Sequence, residues 1–474
     1  MAEKQYLAVD LGAESGRVIR GTLGNEGIEL AEIHRFSNGA VQTRGTLYWD
    51  ILRLWNEIQT GISRAAEHGG DIRGLGIDTW GVDFGLLDRH GELLGNPVHY
   101  RDSRTNGMVD RFFQRISAER VYEITGSQTM AINTLFQMFS IGQKTPEIMQ
   151  QADRALFIPD LLGYWLTGEM RTEYTIASTS QMLDAGRRQF SPEILAAADI
   201  KESLFAPMIQ PGSPVGPIRL PGAAFSHLNG VPVLAVGSHD TASAVAAVPA
   251  NGEDWLFLSS GTWSLLGAEV KQPELSARAR GYNLTNEGGL GSTIRLLKNI
   301  AGLWPLQECR RTWAAEGTAF DYRTLVQLAR GEPSGTALLD LNDPQLVSAG
   351  EMPRKIAEHC RQRGLPAPQT PGRFTRVILE SLANSYAQVR GMLEDVTGRR
   401  FTRLHIVGGG SQNELLNQLT ADATGMEVHA GPVEATALGN ILAQALATGD
   451  IDSLAAGRRL VAKASRVQVY KPQN

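Results

Sequence analysis

The stretch Tyr6–Leu23, YLAVDLGAESGRVIRGTL, constrains this chain more than any other. An apolar run that reads as a strand ends in an acid, Asp10. A tight turn carrying Gly12, Ser15 and Gly16 follows, and a second strand, Arg17 to Leu23, runs back. Such a hairpin can aim backbone N–H groups and a hydroxyl at an anion, with one carboxylate beneath. A related pattern returns at Trp255–Val270, WLFLSSGTWSLLGAEV, where a strand meets Ser259, Ser260, Gly261 and Thr262 before another strand. Two phosphate-type hairpins predict two similar domains facing one nucleotide. The blander alternative is that a strand-end Asp only bonds its own glycine turn.

At 474 residues the chain exceeds one core and predicts two or three domains. Its hydrophobic share of 42% and charged share of 20% are those of an ordinary globular protein. A net charge of −5 and a pI near 6.0 argue against a nucleic-acid partner. Two cysteines, Cys309 and Cys360, make neither a disulfide framework nor a zinc site. The opening MAEKQYLAVD lacks an apolar signal core, and no apolar run is long enough to span a membrane. A cytoplasmic, monomeric enzyme or binding protein with no membrane association is expected.

Tyr6–Asp10, Val18–Leu23 and Ile28–Phe36 read as a three-stranded meander. Trp49, Leu52, Trp55, Ile58, Ile62 and Ala65 recur at helical spacing and predict a helix over 49–67. Ile72–Asp78 and Phe84–Leu87 follow as strands, so the class is α/β, with helices on the faces of a sheet. Pro207, Pro211, Pro214, Pro217 and Pro221 read as an extended connector. Val231–Val236 then leads into Gly237-Ser238-His239-Asp240 and a helix from Thr241. Leu404–Val407 runs into Gly408-Gly409-Gly410 and a helix from Asn413. The expected division is residues 1–245 and 246–474.

Each motif has a chemical and a bland reading. Phosphate chemistry needs a carboxylate such as Asp10 to hold Mg²⁺, directly or through water. Asp240 is either a helix cap or the base that takes a proton from an attacking sugar hydroxyl. Thr262 can bond a terminal phosphate or simply belong to a turn. Gly408–Gly410 lacks dinucleotide-motif spacing, but three glycines let an adenine ring lie flat on the backbone or let backbone pack closely. In IDTWGVDF, Asp78 and Asp83 flank a Trp-Gly pair; Trp80 is core or a sugar platform, and Gly81 admits a ligand to the backbone. Asn299 and Gln307 sit on a segment read as amphipathic and interrupted by Pro305.

In this order, DLGAESGRV, IDTWGVDF, YRDSRT, SHDTASAV, SSGTWSL, TNEGG, LKNIAGLW, LHIVGGGSQN and GPVEATALGN resemble the FGGY carbohydrate kinases of the actin-like ATPase superfold, over nearly the whole chain. The strings IDTWGVDF and SHDTASAV are the specific ones. The resemblance implies two ribonuclease H-like α/β domains around a central cleft, the first binding sugar and phosphate and the second mainly ATP. It implies Mg²⁺-assisted transfer of phosphate from ATP to a ketose, with L-rhamnulose the acceptor and Asp240 the general base. Gly81, His239, Thr241 and Asn299 would contact the sugar. Ala13, Glu14, Ser15, Gly16 and Arg17 would contact the ATP phosphates, and Thr262, Gln307, Gly408, Gly409 and Gly410 the rest of the nucleotide. The Lys-x-x-Trp element of many members is missing near Gln143–Glu147. The rivals are a kinase for fuculose, xylulose or another polyol, and a non-catalytic regulator or chaperone of the same superfold; no helix-turn-helix or Cys/His cluster speaks for a regulator.

Overall fold

The computed structural model describes residues 4–24, 27–67, 69–347 and 350–473; Met1–Glu3, at the start of the segment searched for a leader, lie outside it. The described chain forms two compact units. The expectation was one boundary after residue 245; the units are interleaved. Met1–Pro249, Glu269–Leu296 and Ala435–Ala464 make the first, and Ala250–Ala268, Leu297–Glu434 and Ser465–Asn474 make the second.

The first unit is built on a six-stranded sheet. Its order is Pro214–Pro217, Pro232–Leu234, Ile72–Thr79, Lys4–Leu11, Ser15–Leu23, Ile28–Ser37. Lys4–Leu11 is central and buried along Tyr6–Leu11, as expected of a strand covered on both faces. It runs antiparallel to Ser15–Leu23 and parallel to Ile72–Thr79. The proline-rich connector is extended, as expected, but it also supplies the edge strand Pro214–Pro217, where missing N–H groups cost no ladder bonds.

Helix Ile51–Glu67 buries Ile51, Leu54, Ile58, Ile62 and Ala65 on one stripe. A Cβ on its Gly61 would lie 2.4 Å from Val18 Cγ2, so glycine lets helix and strand close up. Gly21, on the opposite face of that strand, makes the same room for Ile441 of helix Ala435–Ala447, at 2.2 Å from a virtual Cβ. That late helix is tied to the central strand by Gln444 Nε2 donating to Leu7 O at 2.8 Å.

In the second unit the hairpin Trp255–Ser260 and Trp263–Val270 lies beside the parallel strand Arg403–Val407. Glu427–Ala430 continues the sheet in parallel and Gln468–Tyr470 closes it antiparallel. The long helix Pro371–Thr397 is anchored on the hairpin by a 2.7 Å contact between Tyr386 Oη and Ser264 Oγ. Cys309 and Cys360 are free, buried thiols. Among the described residues, no helix is long and apolar enough to cross a membrane.

Candidate active site

The carboxyl ends of the first unit's parallel strands bring three acids into one electrostatic neighbourhood. Asp10 pairs in register with Arg17 across the hairpin and with Asp78 across the parallel neighbour. Arg17 Nη2 donates to Asp10 Oδ2 at 2.5 Å. Asp78 is fully buried, accepts from Asn440 Nδ2 at 2.6 Å through Oδ2, and has no hydrogen-bond partner at Oδ1. Burial, then the negative charges of Asp10 and Asp240, hold its carboxyl well above the usual carboxylate range. The turn itself is closed by Gly12 N donating to Ser15 O at 2.9 Å, and braced by Asn38 Nδ2 on Gly12 O at 2.8 Å. Ala13 and Ser15 are half-buried and Glu14 is exposed, so the turn is open to a ligand. Gly16 is different: a Cβ there would meet the Phe36 ring at 2.3 Å, so packing demands the glycine.

These residues fit a hard divalent cation of the Mg²⁺ kind. Asp10 is the candidate ligand; Asp78, paired with it in register, is held toward its neutral form by burial. Mg²⁺ commonly takes one or two carboxylates and completes its shell with water and phosphate. Among the described residues no cluster of three or more acids, histidines or cysteines forms an all-protein cation site, and that chemistry does not need one.

Asp240 opens helix Asp240–Ala246 as its first residue; His239 is the N-cap and makes no side-chain cap. Asp240 is thus not the N-cap residue, but its carboxylate still bonds a first-turn N–H, that of Thr241. Backbone bonding between Thr79 N and Ser238 O, 2.9 Å, brings this segment alongside the strand that carries Asp78. Asp240 Oδ1 accepts from Thr241 N at 2.5 Å and from Thr241 Oγ1 at 3.1 Å, and lies 3.5 Å from His239 Nε2. All of these contacts fall on Oδ1, which leaves Oδ2 to take a proton. The Asp240 side chain is 30% exposed, enough for a substrate to reach.

Sequence reasoning missed the groups that hold this segment. Fully buried Arg295 stands 3.2 Å from Glu287 Oε2, and its Nη2 bonds His239 Nδ1 at 3.1 Å. Glu173 accepts from Thr175 N, Thr175 Oγ1 and Ile176 N at 2.8, 2.6 and 3.0 Å. It also accepts from the Ser238 backbone, and burial still pushes it up to about 7. The available signal was a charged residue inside an apolar run, as in TIRLL, since a buried charge needs a partner.

Gly81 is followed by Val82 at φ 68°, a left-handed conformation that strains a β-branched residue. Bonds from Val82 N to Thr179 Oγ1 (3.1 Å) and from Thr134 Oγ1 to Val82 O (2.7 Å) hold it there. Strain of about 1–3 kcal/mol maintained in this way is characteristic of ligand-facing loops. Trp80 proves to be core: it is 5% exposed and lies 3.9 Å from the Trp49 ring. Both indole N–H groups donate to Asp83 Oδ2, at 2.6 Å from Trp49 and 3.1 Å from Trp80.

In the second unit, Gln307 Nε2 donates to Thr262 Oγ1 at 3.3 Å, while its buried Oε1 has no partner. Pro305 does not interrupt this segment. It lies in the first turn of helix Trp304–Ala315, where proline is tolerated. Asn299 is half-buried and lies on the strand Ile294–Ala301, not on a shared helical face with Gln307. The glycine run follows strand Arg403–Val407. Gly410 is packed so that a Cβ would sit 2.0 Å from Ser260 Oγ, Gly408 takes φ 82°, and Gly409 has open space before it. Close packing on Ser260 accounts for Gly408 and Gly410, and Gly409 alone leaves open space. Unit by unit, Ala13–Arg17, Asp10, Gly81 and His239–Thr241 belong to the first, and Thr262, Asn299, Gln307 and Gly408–Gly410 to the second.

The N-terminal domain model of the FGGY family of carbohydrate kinases matches residues 5–247, and the C-terminal domain model matches residues 256–448. The chain belongs to the FGGY family of carbohydrate kinases and is a sugar kinase by that membership. Within the family it is similar to the rhamnulokinase of Bacteroides thetaiotaomicron, with 43% identity over 472 residues, 100% of this chain and 96% of the relative. The rhamnulokinase of Bacillus subtilis is 38% identical over 469 residues, 99% of this chain and 96% of the relative. Among solved structures, a xylulose kinase from Lactobacillus acidophilus superposes with a TM-score of 0.80 at 16% identity, covering 99% of this chain and 94% of that one. The glycerol kinase of Plasmodium falciparum with ADP gives 0.78 at 17%, with the same coverage. The fold is thus the two-domain α/β kinase fold of the actin-like ATPase type.

Proposed function

We propose that the chain transfers the γ-phosphoryl group of ATP to the 1-hydroxyl of L-rhamnulose, giving L-rhamnulose 1-phosphate and ADP. The full-length similarity to curated rhamnulokinases supports the acceptor. The observation that carries the chemistry is Asp240, whose Oδ1 is anchored by Thr241 while Oδ2 is left for the hydroxyl proton.

Phosphoryl transfer asks a protein mainly for positioning and charge. Asp240 orients the acceptor hydroxyl and takes its proton as the new P–O bond forms. His239 and Thr241, on either side, contact the ketose, as does the backbone at Gly81; Asn299 is a further sugar contact. The turn Ala13–Arg17 offers N–H groups and a guanidinium to the phosphates, Thr262 with Gln307 bonds the terminal phosphate, and Gly408–Gly410 floors the adenine. Bound through Asp10, Mg²⁺ supplies charge neutralisation across the phosphates. The protein is expected to act as a cytoplasmic monomer, without nucleic acid or membrane.

A panel of ketoses assayed for ADP release tests the reading. The highest kcat/KM is expected on L-rhamnulose, with weaker activity on fuculose, its C4 epimer, and on xylulose, which lacks the C6 methyl, since one missing methyl group is worth only about 10- to 200-fold. A preference for xylulose or fuculose would overturn the acceptor and leave the kinase.

A further inference from the structure

We propose that Arg295 and Glu287 fix the tautomer of His239, holding its Nε2–H toward Asp240 and the acceptor sugar. The inference rests on the reading of Asp240 as general base and His239 as a sugar contact. It adds two positioning residues, neither of which touches the reacting atoms.

A guanidinium only donates hydrogen bonds. Arg295 Nη2 lies at bonding distance, 3.1 Å, from His239 Nδ1. Nδ1 must then offer its lone pair, so the proton of the neutral ring sits on Nε2. Nε2 is the nitrogen that faces Asp240 Oδ1, at 3.5 Å. A ring with Nδ1–H instead would turn a lone pair toward that carboxylate.

Glu287 would by itself choose the other tautomer. Its Oε2 is 3.2 Å from His239 Nδ1 and would accept a proton held there. The same oxygen is 3.2 Å from Arg295 Nη2. Arg295 therefore faces that oxygen as its counter-charge, without hydrogen-bonding it, and bonds the imidazole lone pair. In return Glu287 is the counter-charge of a guanidinium with no exposure at all, which the carbonyl of Gly288 also holds, 2.8 Å from Nε. All three residues are buried, so water does not shift the competition. The arrangement is the familiar one in which the partner of one ring nitrogen dictates what the other presents.

The test is ¹⁵N NMR of histidine-labelled protein, with the His239 signals assigned by their loss in His239→Gln. The parent should show a protonated Nε2 and an unprotonated Nδ1; a protonated Nδ1 overturns the proposal before any variant is made. In Arg295→Met the proton should move to Nδ1, toward Glu287. The ketose KM should rise by about 10- to 100-fold, the range of one lost hydrogen bond to a charged group, with the KM for ATP unchanged. Arg295→Lys should restore part of the ketose affinity, and Glu287→Gln should keep the proton on Nε2. An unchanged tautomer in folded Arg295→Met, or a ketose KM within threefold of the parent, overturns the proposal. A chain that phosphorylates no ketose would refute the function instead, while the NMR result would still decide the tautomer.

Discussion

The two hairpins share a frame and differ in chemistry. Each is an antiparallel pair with a parallel strand alongside: Ile72–Thr79 beside the first and Arg403–Val407 beside the second. In the first, the strand ends bear Asp10 and Asp78 in register. In the second, Ser259 pairs with Val407 and glycines follow. The first turn closes through Gly12 N on Ser15 O and the second through Gly261 N on Trp263 O, both at 2.9 Å. The same turn closure thus occurs twice. Only the first adds carboxylates at its strand ends, where the proposed proton transfer and cation would be managed.

The division is broken most directly at Asp240. Asp240→Asn should fold normally and lose about 10²- to 10⁴-fold in kcat, the usual effect of removing a general base. ADP release within threefold of the parent would end the assignment. Asp10→Ala should come next. Its apparent affinity for Mg·ATP should fall by about 10- to 100-fold, with ketose binding by calorimetry nearly intact. Lost sugar affinity with normal nucleotide affinity would place Asp10 on the wrong side of the comparison.

The hydroxyl-bearing hairpin should respond more weakly. Thr262→Val removes one neutral hydrogen-bonding group and leaves Gln307 Nε2 without its acceptor. The KM for ATP should rise by about 3- to 10-fold, while the ketose KM and the fold are unchanged. An effect on the ketose alone would contradict a nucleotide role.

What could be read along the chain was local. Both hairpins were legible because an apolar run, a glycine turn and a second run are neighbours in sequence. The strand-end acids were legible for the same reason. The return of Ala435–Ala464 to the first unit was not, because it depends on distant fits: Gly439 leaves room only for Ser243 O, 1.7 Å from a virtual Cβ, and Gly21 for Ile441. Asn299 was read onto an amphipathic segment with Gln307, but strand Ile294–Ala301 carries it, and Gly302 between strand and helix packs closely, its virtual Cβ 2.5 Å from the Trp263 backbone. Glu287 and Arg295 look like isolated charges until the fold pairs them with His239.

The comparison also predicts where the molecule senses pH. Among the described residues, the carboxyls raised above their usual values are Asp78, Asp83, Asp160 and Glu173, all in the first unit. Asp83 isolates the effect because burial and its own hydrogen bonds set its shift, and neither Asp10 nor Asp240 is among the main causes. Burial pushes it from 3.8 to about 6, against bonds from Trp49, Gln137 and Trp80 that pull it down. A carboxyl raised on folding contributes stability that is fully present below its unfolded pKa and lost as pH rises through the folded one. Its contribution therefore fades between about pH 4 and pH 6 and is gone at pH 7.5. Asp83→Asn cannot titrate. Asn keeps one oxygen for the two indole N–H groups but turns an NH₂ toward the Gln137 amide, which should lower its stability at every pH, while the gap to the parent should narrow from pH 5 to pH 7.5 by about 1 kcal/mol. Paired unfolding curves at the two pH values measure that narrowing. Thr262→Val, in the unit without raised carboxyls, should show the same gap at both. If the Asp83→Asn gap stayed constant, or the Thr262→Val gap moved as much, buried acids would not be what separates the two units.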